Sequence, residues 1–417
     1  MNTPPPLFVD LYELTMAQVY YDRNMTGEAV FELTARSLPE GWDYLIAAGL
    51  ERALNFLESL RFGDDEIDHL STLPQFDARL LNQLREFRFS GDVWAPPEGT
   101  PVYEHEPLIQ VIAPLPEAQL VETAMINQIA YPTLVASKAA RAVEAAAGRP
   151  VIEFGGRRAH GSEAAIEASR ATYIAGFDAT SSVEAGRRYG IPTTGTMAHS
   201  FVLASDNEEE AFDTFASRYP GTTLLVDTFG SESGVNNAIK TAKRLGPGSI
   251  GAIRIDSGDL RTEAWQARVK LDTVGLQDVR IVASGGLDEY QIADLVAANA
   301  PIDVFACGTN IVAPPDAATL DSAYKMVEYD GRPVAKRSVG KPSLPYRKQI
   351  WRKGDSDLIT RFNQRPPIGA DPVLQPVMND GRQLALDTAS LNDIRTRAAS
   401  DRRSRSVVID PLLRTND

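Results

Sequence analysis

The sequence predicts an α/β protein built on a parallel barrel, with a second domain of mixed α+β character. A rhythm in the second half of the chain and a shared chemistry at its strand ends carry that prediction. From residue 150 short apolar runs recur as PVIEFGG, IPTTGTMAH, TLLVDTFG, GAIRIDSGD, VRIVASGG and DVFACGTNI. They start near 151, 191, 223, 252, 280 and 303, so the later repeats span 23 to 32 residues, the size of a strand–loop–helix unit. Amphipathic stretches such as GVNNAIKTAKRLG and EYQIADLVAANA separate them. Serial units of this kind build parallel sheets. Each run also ends in glycine or polar residues: Gly155-Gly156-Arg157-Arg158, Ala198-His199-Ser200, Asp227-Thr228, Asp256-Ser257-Gly258-Asp259, Ser284-Gly285-Gly286 and Gly308-Thr309-Asn310. A barrel assembles its active site from such carboxyl ends. Periodicity alone leaves a doubly wound open sheet as the alternative.

Ahead of the repeats, LYELTMAQVYYDRN and YLIAAGLERALNFLESL carry apolar residues at helical spacing. The stretch FSGDVWAPPEGTPVYEHEPLIQVIAPLP is broken by Pro and Gly and rich in strand formers, which predicts a small β-region. AQLVETAMINQIAYPTLVASKAARAVEAAAG reads as a long helical stretch that Pro132 should kink or break. The expected division is an N-terminal mixed domain, 1–120, joined by residues 340–417, and a barrel over 121–339. The last sixty or so residues read as helical and loop segments.

Of the 417 residues 43% are hydrophobic, enough for a large core. A net charge of -14 argues against nucleic acid or an anionic membrane surface as partner. MNTPPPLFVD has neither a basic nor an apolar leader region, and no run suits a membrane span, so a soluble cytoplasmic protein is expected. A single cysteine, Cys307, excludes an internal disulfide framework and a Cys-cluster zinc site. Against the acidic background, nine Lys or Arg lie between Lys325 and Lys353, with Glu328 and Asp330 the acidic residues among them. Such an island is either a solvated face or a site for a small polyanion.

The strand-end chemistry favours the polyanion. Glycines in ASGG and CGTNI let backbone N–H groups approach a phosphate, with a following helix adding its positive end. In RIDSGD, Asp256 and Asp259 can accept from ribose hydroxyls, hold Mg2+ or stabilise a cationic transition state; DSGD also suits an Asx turn and helix cap. EFGGRR offers Arg157 for bidentate contact with an anion. His199, in IPTTGTMAHSFV, stands where a strand opens to solvent; alone it would read as a hydrogen-bonded structural residue.

Taken in order, DLYELTMAQ, FGGRRAHG, GTMAHSF, DSGD and KPSLPYRKQIWR resemble the nicotinate phosphoribosyltransferase family over roughly residues 8 to 353. The resemblance implies an irregular, incomplete TIM-like barrel of seven strands beside a mixed α+β domain. It implies a homodimer with shared active sites. It implies transfer of phosphoribose from phosphoribosyl pyrophosphate to nicotinate with ATP hydrolysis, an enzyme of the ligase class in NAD salvage. By position, His199 matches a transiently phosphorylated histidine, and Phe154 and Tyr12 match aromatics that sandwich the pyridine ring, Tyr12 coming from the partner with Asp10 beside it. Arg157 matches a phosphoribosyl pyrophosphate ligand. Arg254 and Asp256 match residues at the nucleotide phosphate and ribose, and Ser284, Gly285, Gly308 and Thr309 match the 5′-phosphate loop. Lys336, Lys341 and the following RKQ are expected at pyrophosphate or ATP phosphates, with Mg2+ near Asp256 and Asp259. Ser181 stands where nicotinamide-using relatives carry aspartate, which favours a carboxylate-bearing base. At position 346 the family pattern has glycine, and this chain has Tyr346. The alternatives are a nicotinamide phosphoribosyltransferase, a quinolinate phosphoribosyltransferase and a catalytically silent nucleotide-binding homologue.

Overall fold

In the computed structural model, which describes residues 3–336, 343–384 and 389–414, the chain divides into two compact units. One comprises Met1–Ser137 with Thr319–Asp417, the other Lys138–Ala318.

The Lys138–Ala318 unit holds a six-stranded parallel sheet in the order Ala179–Thr180, Val151–Glu153, Val304–Cys307, Arg280–Ala283, Ile250–Ile255, Thr222–Leu225. Five of the six strand starts read from the repeats are strands here. The sixth, at 191, is not: Pro192 enters it and residues 192–195 are exposed, so it contributes one isolated bridge, Thr180 to Thr193. The expected seven strands are therefore six and a bridge. Ala179–Thr180, two residues long, gave no apolar run to read.

Strand alternation sorts this sheet's side chains. Ala252, Val282, Val304 and Ala306 cluster on one face with Ile152 and Phe154, and two residues further along the same face stand Arg254, Ser284 and Gly308. Ile253, Ile255, Ile281, Ala283, Phe305 and Cys307 alternate with them and are buried. The helices Ser231–Leu245 and Leu260–Thr273 pack on strands Ile250–Ile255 and Arg280–Ala283. At the amino ends, Val151 N donates to Asp178 Oδ2 at 3.0 Å and Ile281 N to Asp303 Oδ2 at 2.7 Å. Those ends are closed by local carboxylates, and the carboxyl ends are left to the site.

The other unit centres on a seven-stranded antiparallel sheet. Of its middle strands, Pro107–Pro114 and Asp92–Ala95 come from the expected β-region, while Glu28–Ala35 lies where no element was expected. Ser322–Tyr329 and Gln375–Asn379 flank them. A four-stranded sheet adds Lys348–Lys353, Ser356–Arg361, Asp371–Pro372 and Ser406–Ile409. The C-terminal segment is thus partly strand, where helix and loop were expected. Its strands are short and carry Pro372 and Pro376, which hides them from pattern reading.

Pro132 neither breaks nor ends its helix, which runs Glu122–Ala145. Proline removes the N–H that would bond the carbonyl four residues back, here Gln128. Gly49 lies against that carbonyl: a Cβ there would stand 2.0 Å from Gln128 O. The backbone freed by Pro132 is packed by a residue with no side chain. No helix among the described residues is long and apolar enough to cross a membrane.

Candidate active site

Arg254 organises the carboxyl end of the parallel sheet. Buried to 9% exposure, its guanidinium donates from Nε to Ser284 Oγ at 2.7 Å, from Nη1 to Thr196 Oγ1 at 2.9 Å and from Nη2 to Asp256 Oδ1 at 2.5 Å. Ser284 Oγ also donates to Asp256 Oδ1 at 2.5 Å. Two strand ends and the loop before His199 are thereby tied to one cation. The Phe154 ring lies 5.4 Å from the same guanidinium, so its orientation is set by a cation–π contact. Burial alone would raise the Asp256 carboxyl, but Ser284 and then Arg254 outweigh it and hold it below the usual range. Oδ1 takes both bonds, which leaves Oδ2 for a ligand.

His199 opens the short helix His199–Leu203. Its Nδ1 pairs with Thr228 Oγ1 at 3.0 Å, so Nε2 is the nitrogen free for other chemistry. Thr228 follows Asp227, whose Oδ2 accepts from Asp256 N at 3.1 Å and Ser257 Oγ at 2.5 Å. Asp227 Oδ1 is buried without a hydrogen-bond partner among the described residues.

The glycine loops meet as the spacing suggests. Gly285, at φ 97°, lies so near the neighbouring strand end that a Cβ would stand 2.1 Å from Asp256 O. Asn310 Nδ2 donates to Gly286 O at 2.6 Å and joins the two loops. Gly308 occupies the position before the Thr309–Val312 turn of helix, and Thr309 is exposed. Arg157 is exposed after the Phe154-Gly155 turn and has no ion-pair partner among the described residues. Ser181, exposed, follows the Ala179–Thr180 strand next to it.

Mg2+ retains most of its waters and binds through one or two carboxylates plus substrate phosphates. Asp259 does not suit it: it caps the helix Leu260–Thr273, with Oδ1 accepting from Arg261 N at 3.2 Å and Oδ2 from Thr262 Oγ1 at 2.8 Å. Asp256 Oδ2 and the orphaned Asp227 Oδ1 do suit it.

Asp10 and Tyr12 belong to the first unit. Asp10 precedes the helix Leu11–Asp22, and its Oδ2 accepts from Thr123 Oγ1 at 3.2 Å. Tyr12 is 44% exposed; burial of its hydroxyl and the nearby Glu122 carboxylate push that hydroxyl above its ordinary value. Lys336 is exposed, its backbone N donating to Ser343 Oγ at 2.9 Å and its carbonyl accepting from Ser343 N at 3.1 Å. Lys341 lies outside the described residues. The expectation that the following RKQ meets phosphate fails for two of its members. Lys348 is buried with Nζ donating to Glu32 Oε2 at 2.7 Å, and Gln349 is buried with Nε2 donating to Leu374 O at 3.0 Å. Arg347 is sandwiched, 3.6 Å from the Phe362 ring and 5.1 Å from Trp94.

Thr196, Asp227 and Thr228 were given no role by sequence reasoning. Asp227-Thr228 is itself one of the strand ends named above, and Thr196 lies two residues before Ala198-His199-Ser200; that placement was the available signal.

A family model described as the nicotinate phosphoribosyltransferase (NAPRTase) N-terminal domain matches residues 7–130. The chain is 49% identical over 395 residues to the nicotinate phosphoribosyltransferase pncB2 of Mycobacterium tuberculosis, covering 93% of this chain and 85% of that one. It is 40% identical over 390 residues to the nicotinate phosphoribosyltransferase of Bacillus subtilis, covering 91% and 78%. Among solved structures, human nicotinic acid phosphoribosyltransferase matches with a TM-score of 0.79 at 26% identity over 98% of both chains. The nicotinate-nucleotide pyrophosphorylase of Pyrococcus furiosus matches with a TM-score of 0.78 at 26% identity over 94% of both.

Proposed function

Because the chain belongs to the nicotinate phosphoribosyltransferase family, we propose that it joins nicotinate to phosphoribosyl pyrophosphate, giving nicotinate mononucleotide and pyrophosphate, a salvage step toward NAD. The observation that carries this reading is the Arg254–Asp256–Ser284 cluster with the Phe154 ring on its cation and His199 beside it.

The pyridine nitrogen attacks the anomeric carbon with its lone pair as the bond to pyrophosphate breaks, so no general base is required. Positive charge develops on the ribosyl ring, and the Asp256 carboxylate, held ionised, stabilises it while Oδ2 meets a ribose hydroxyl. Backbone N–H groups of Gly285, Gly308 and Thr309 receive the 5′-phosphate with Ser284, Arg254 supplies fixed positive charge, and Arg157 meets phosphoribosyl pyrophosphate. Mg2+ beside Asp256 would neutralise the departing pyrophosphate. Phe154 and Tyr12 of the partner subunit sandwich the base, and Ser181 donates to its carboxylate.

With Nδ1 engaged by Thr228, His199 Nε2 attacks the γ-phosphorus of ATP and ADP leaves; water later removes the phosphoryl group as phosphate. Lys336 and Lys341 meet the phosphates of pyrophosphate or ATP. The working protein is a cytoplasmic homodimer with shared sites.

The test follows mononucleotide formation with nicotinate or nicotinamide, each with and without ATP. Nicotinate preference is expected, with His199→Ala abolishing the ATP effect and retaining basal transfer. Turnover of nicotinamide would overturn the reading of Ser181, and an unchanged ATP effect in His199→Ala would overturn that of the histidine.

A further inference from the structure

Glu153 is the last residue of its strand and points away from Phe154, into the protein, with no exposed surface. Its Oε1 accepts from Gly155 N. Its Oε2 accepts from Thr180 Oγ1 at 2.6 Å and from Ser169 Oγ at 3.1 Å. Its carbonyl accepts from Ser181 N at 2.9 Å. Among the described residues no lysine or arginine is paired with it. Thr180 Oγ1 in turn accepts from Ser182 N at 3.0 Å, and Ser182 caps the helix Val183–Tyr189.

A buried carboxyl group is costly wherever packing alone is needed, and an apolar side chain would fill the space at less cost. What the carboxyl supplies is two acceptors at fixed separation. One holds the turn after Phe154; the other holds the threonine before Ser181. Phe154 and Ser181 are the groups read above as stacking on the base and meeting its carboxylate; Ser169, which donates to Glu153 Oε2 and accepts from Thr180 Oγ1 at 3.1 Å, reaches their segments through the side chains of Glu153 and Thr180.

We propose that Glu153 is the positioning residue of the base pocket, setting the gap between Phe154 and Ser181 and thereby the selection of a flat heteroaromatic carboxylate. This rests on the assignment of Phe154 and Ser181 to the base. Apart from Arg157, three residues beyond Phe154, the groups assigned above to phosphoribose hang from other strand ends, so the effect of Glu153 falls on nicotinate more than on phosphoribosyl pyrophosphate.

The test is steady-state kinetics of Glu153→Asp, which withdraws both acceptors by one methylene. The nicotinate KM should rise about tenfold, the order expected for a contact group displaced by a fraction of an ångström. The nicotinate-to-nicotinamide ratio should fall, and the KM for phosphoribosyl pyrophosphate should move less. Glu153→Gln should return KM toward the parent value, because its amide oxygen still accepts from Gly155 N and its NH2 can donate to the two hydroxyls. Thr180→Val, which cuts one arm and leaves Glu153 in place, should raise the nicotinate KM several-fold and carries the test if Glu153→Asp does not fold. Equal changes in both KM values, or a lowered Tm with unchanged selectivity, would overturn the inference. Phe154→Ala and Ser181→Ala separate the two ideas. If they leave the nicotinate KM unmoved, the base-pocket reading falls and takes this inference with it; if they raise it and the Glu153 and Thr180 variants do not, the inference alone falls.

Discussion

Glu13 accepts on Oε1 from Thr123 N at 3.1 Å and Thr123 Oγ1 at 2.5 Å, while Oε2 is buried without a hydrogen-bond partner among the described residues. Burial pushes its carboxyl from the ordinary 4.5 up to about 7; the Thr123 bonds oppose this, and Glu122 and Asp10 add to it. The folded protein therefore keeps a proton between pH 4.5 and 7 that the unfolded chain has released. Stability from this group is greatest below pH 4.5, falls as pH rises through that window and is level above it. Glu13→Gln should flatten this part of a Tm-against-pH profile and raise Tm at pH 8; a slope identical to the parent's would contradict the assignment. Arg254 makes a different demand. Its three bonds go to three partners in fork geometry, which an ammonium cannot reproduce. Arg254→Lys should lower kcat/KM by about 100-fold while circular dichroism stays unchanged. The residue types at this site were legible from sequence because strand-end motifs carry them. The bonds among them were not, since the partners Thr196, Asp256 and Ser284 lie 2 to 58 positions from Arg254.

Strand ends and turns show where local conformation constrains the site. At Gly285 the positive φ and the contact with Asp256 O act together. Gly285→Ala should cost about 1–2 kcal/mol from the left-handed backbone alone, and the displaced Asp256 should cut activity further, measured as kcat/KM beside the denaturation midpoint. Tyr346, where the family pattern has glycine, adopts φ 71°. The pattern's glycine is what such a turn prefers; here the Arg361 guanidinium stacks 3.7 Å from the Tyr346 ring, a contact glycine could not make. Tyr346→Ala loses that contact and keeps the strain, so it should be less stable than Tyr346→Gly by about 1 kcal/mol. Helices and buried strands were readable because periodicity spans many residues. The two-residue strand Ala179–Thr180, the single bridge at Thr193 and the proline-bearing C-terminal strands were not, because tertiary pairing defines each of them. The Pro132 helix misled for the same reason: Gly49, far off in sequence, lies against the carbonyl that the proline frees.

For the molecule as a whole, the proposed sharing of sites in a homodimer predicts complementation. In a mixture of Tyr12→Ala and Phe154→Ala chains, random reassociation makes half the dimers mixed, and each mixed dimer has one site with both aromatics. About a quarter of all sites should then be intact. Recovery toward that level after denaturation and joint refolding supports sharing, and no recovery would place both aromatics in one subunit. The alternation of strand and helix made the parallel unit legible as a whole; the pairing of Ser322–Tyr329 with Glu28–Ala35 is one that no local pattern announces. That return has a consequence during synthesis. Glu28–Ala35, Pro107–Pro114 and Asp92–Ala95 leave the ribosome early, but the strands that flank them, Ser322–Tyr329 and Gln375–Asn379, follow only after residues 138–318 have been made. At about 5–20 residues per second the ribosome needs roughly 10–35 s for that stretch. Throughout it the nascent sheet has two open edges, the kind that chaperones cover and neighbouring chains on a polysome can capture.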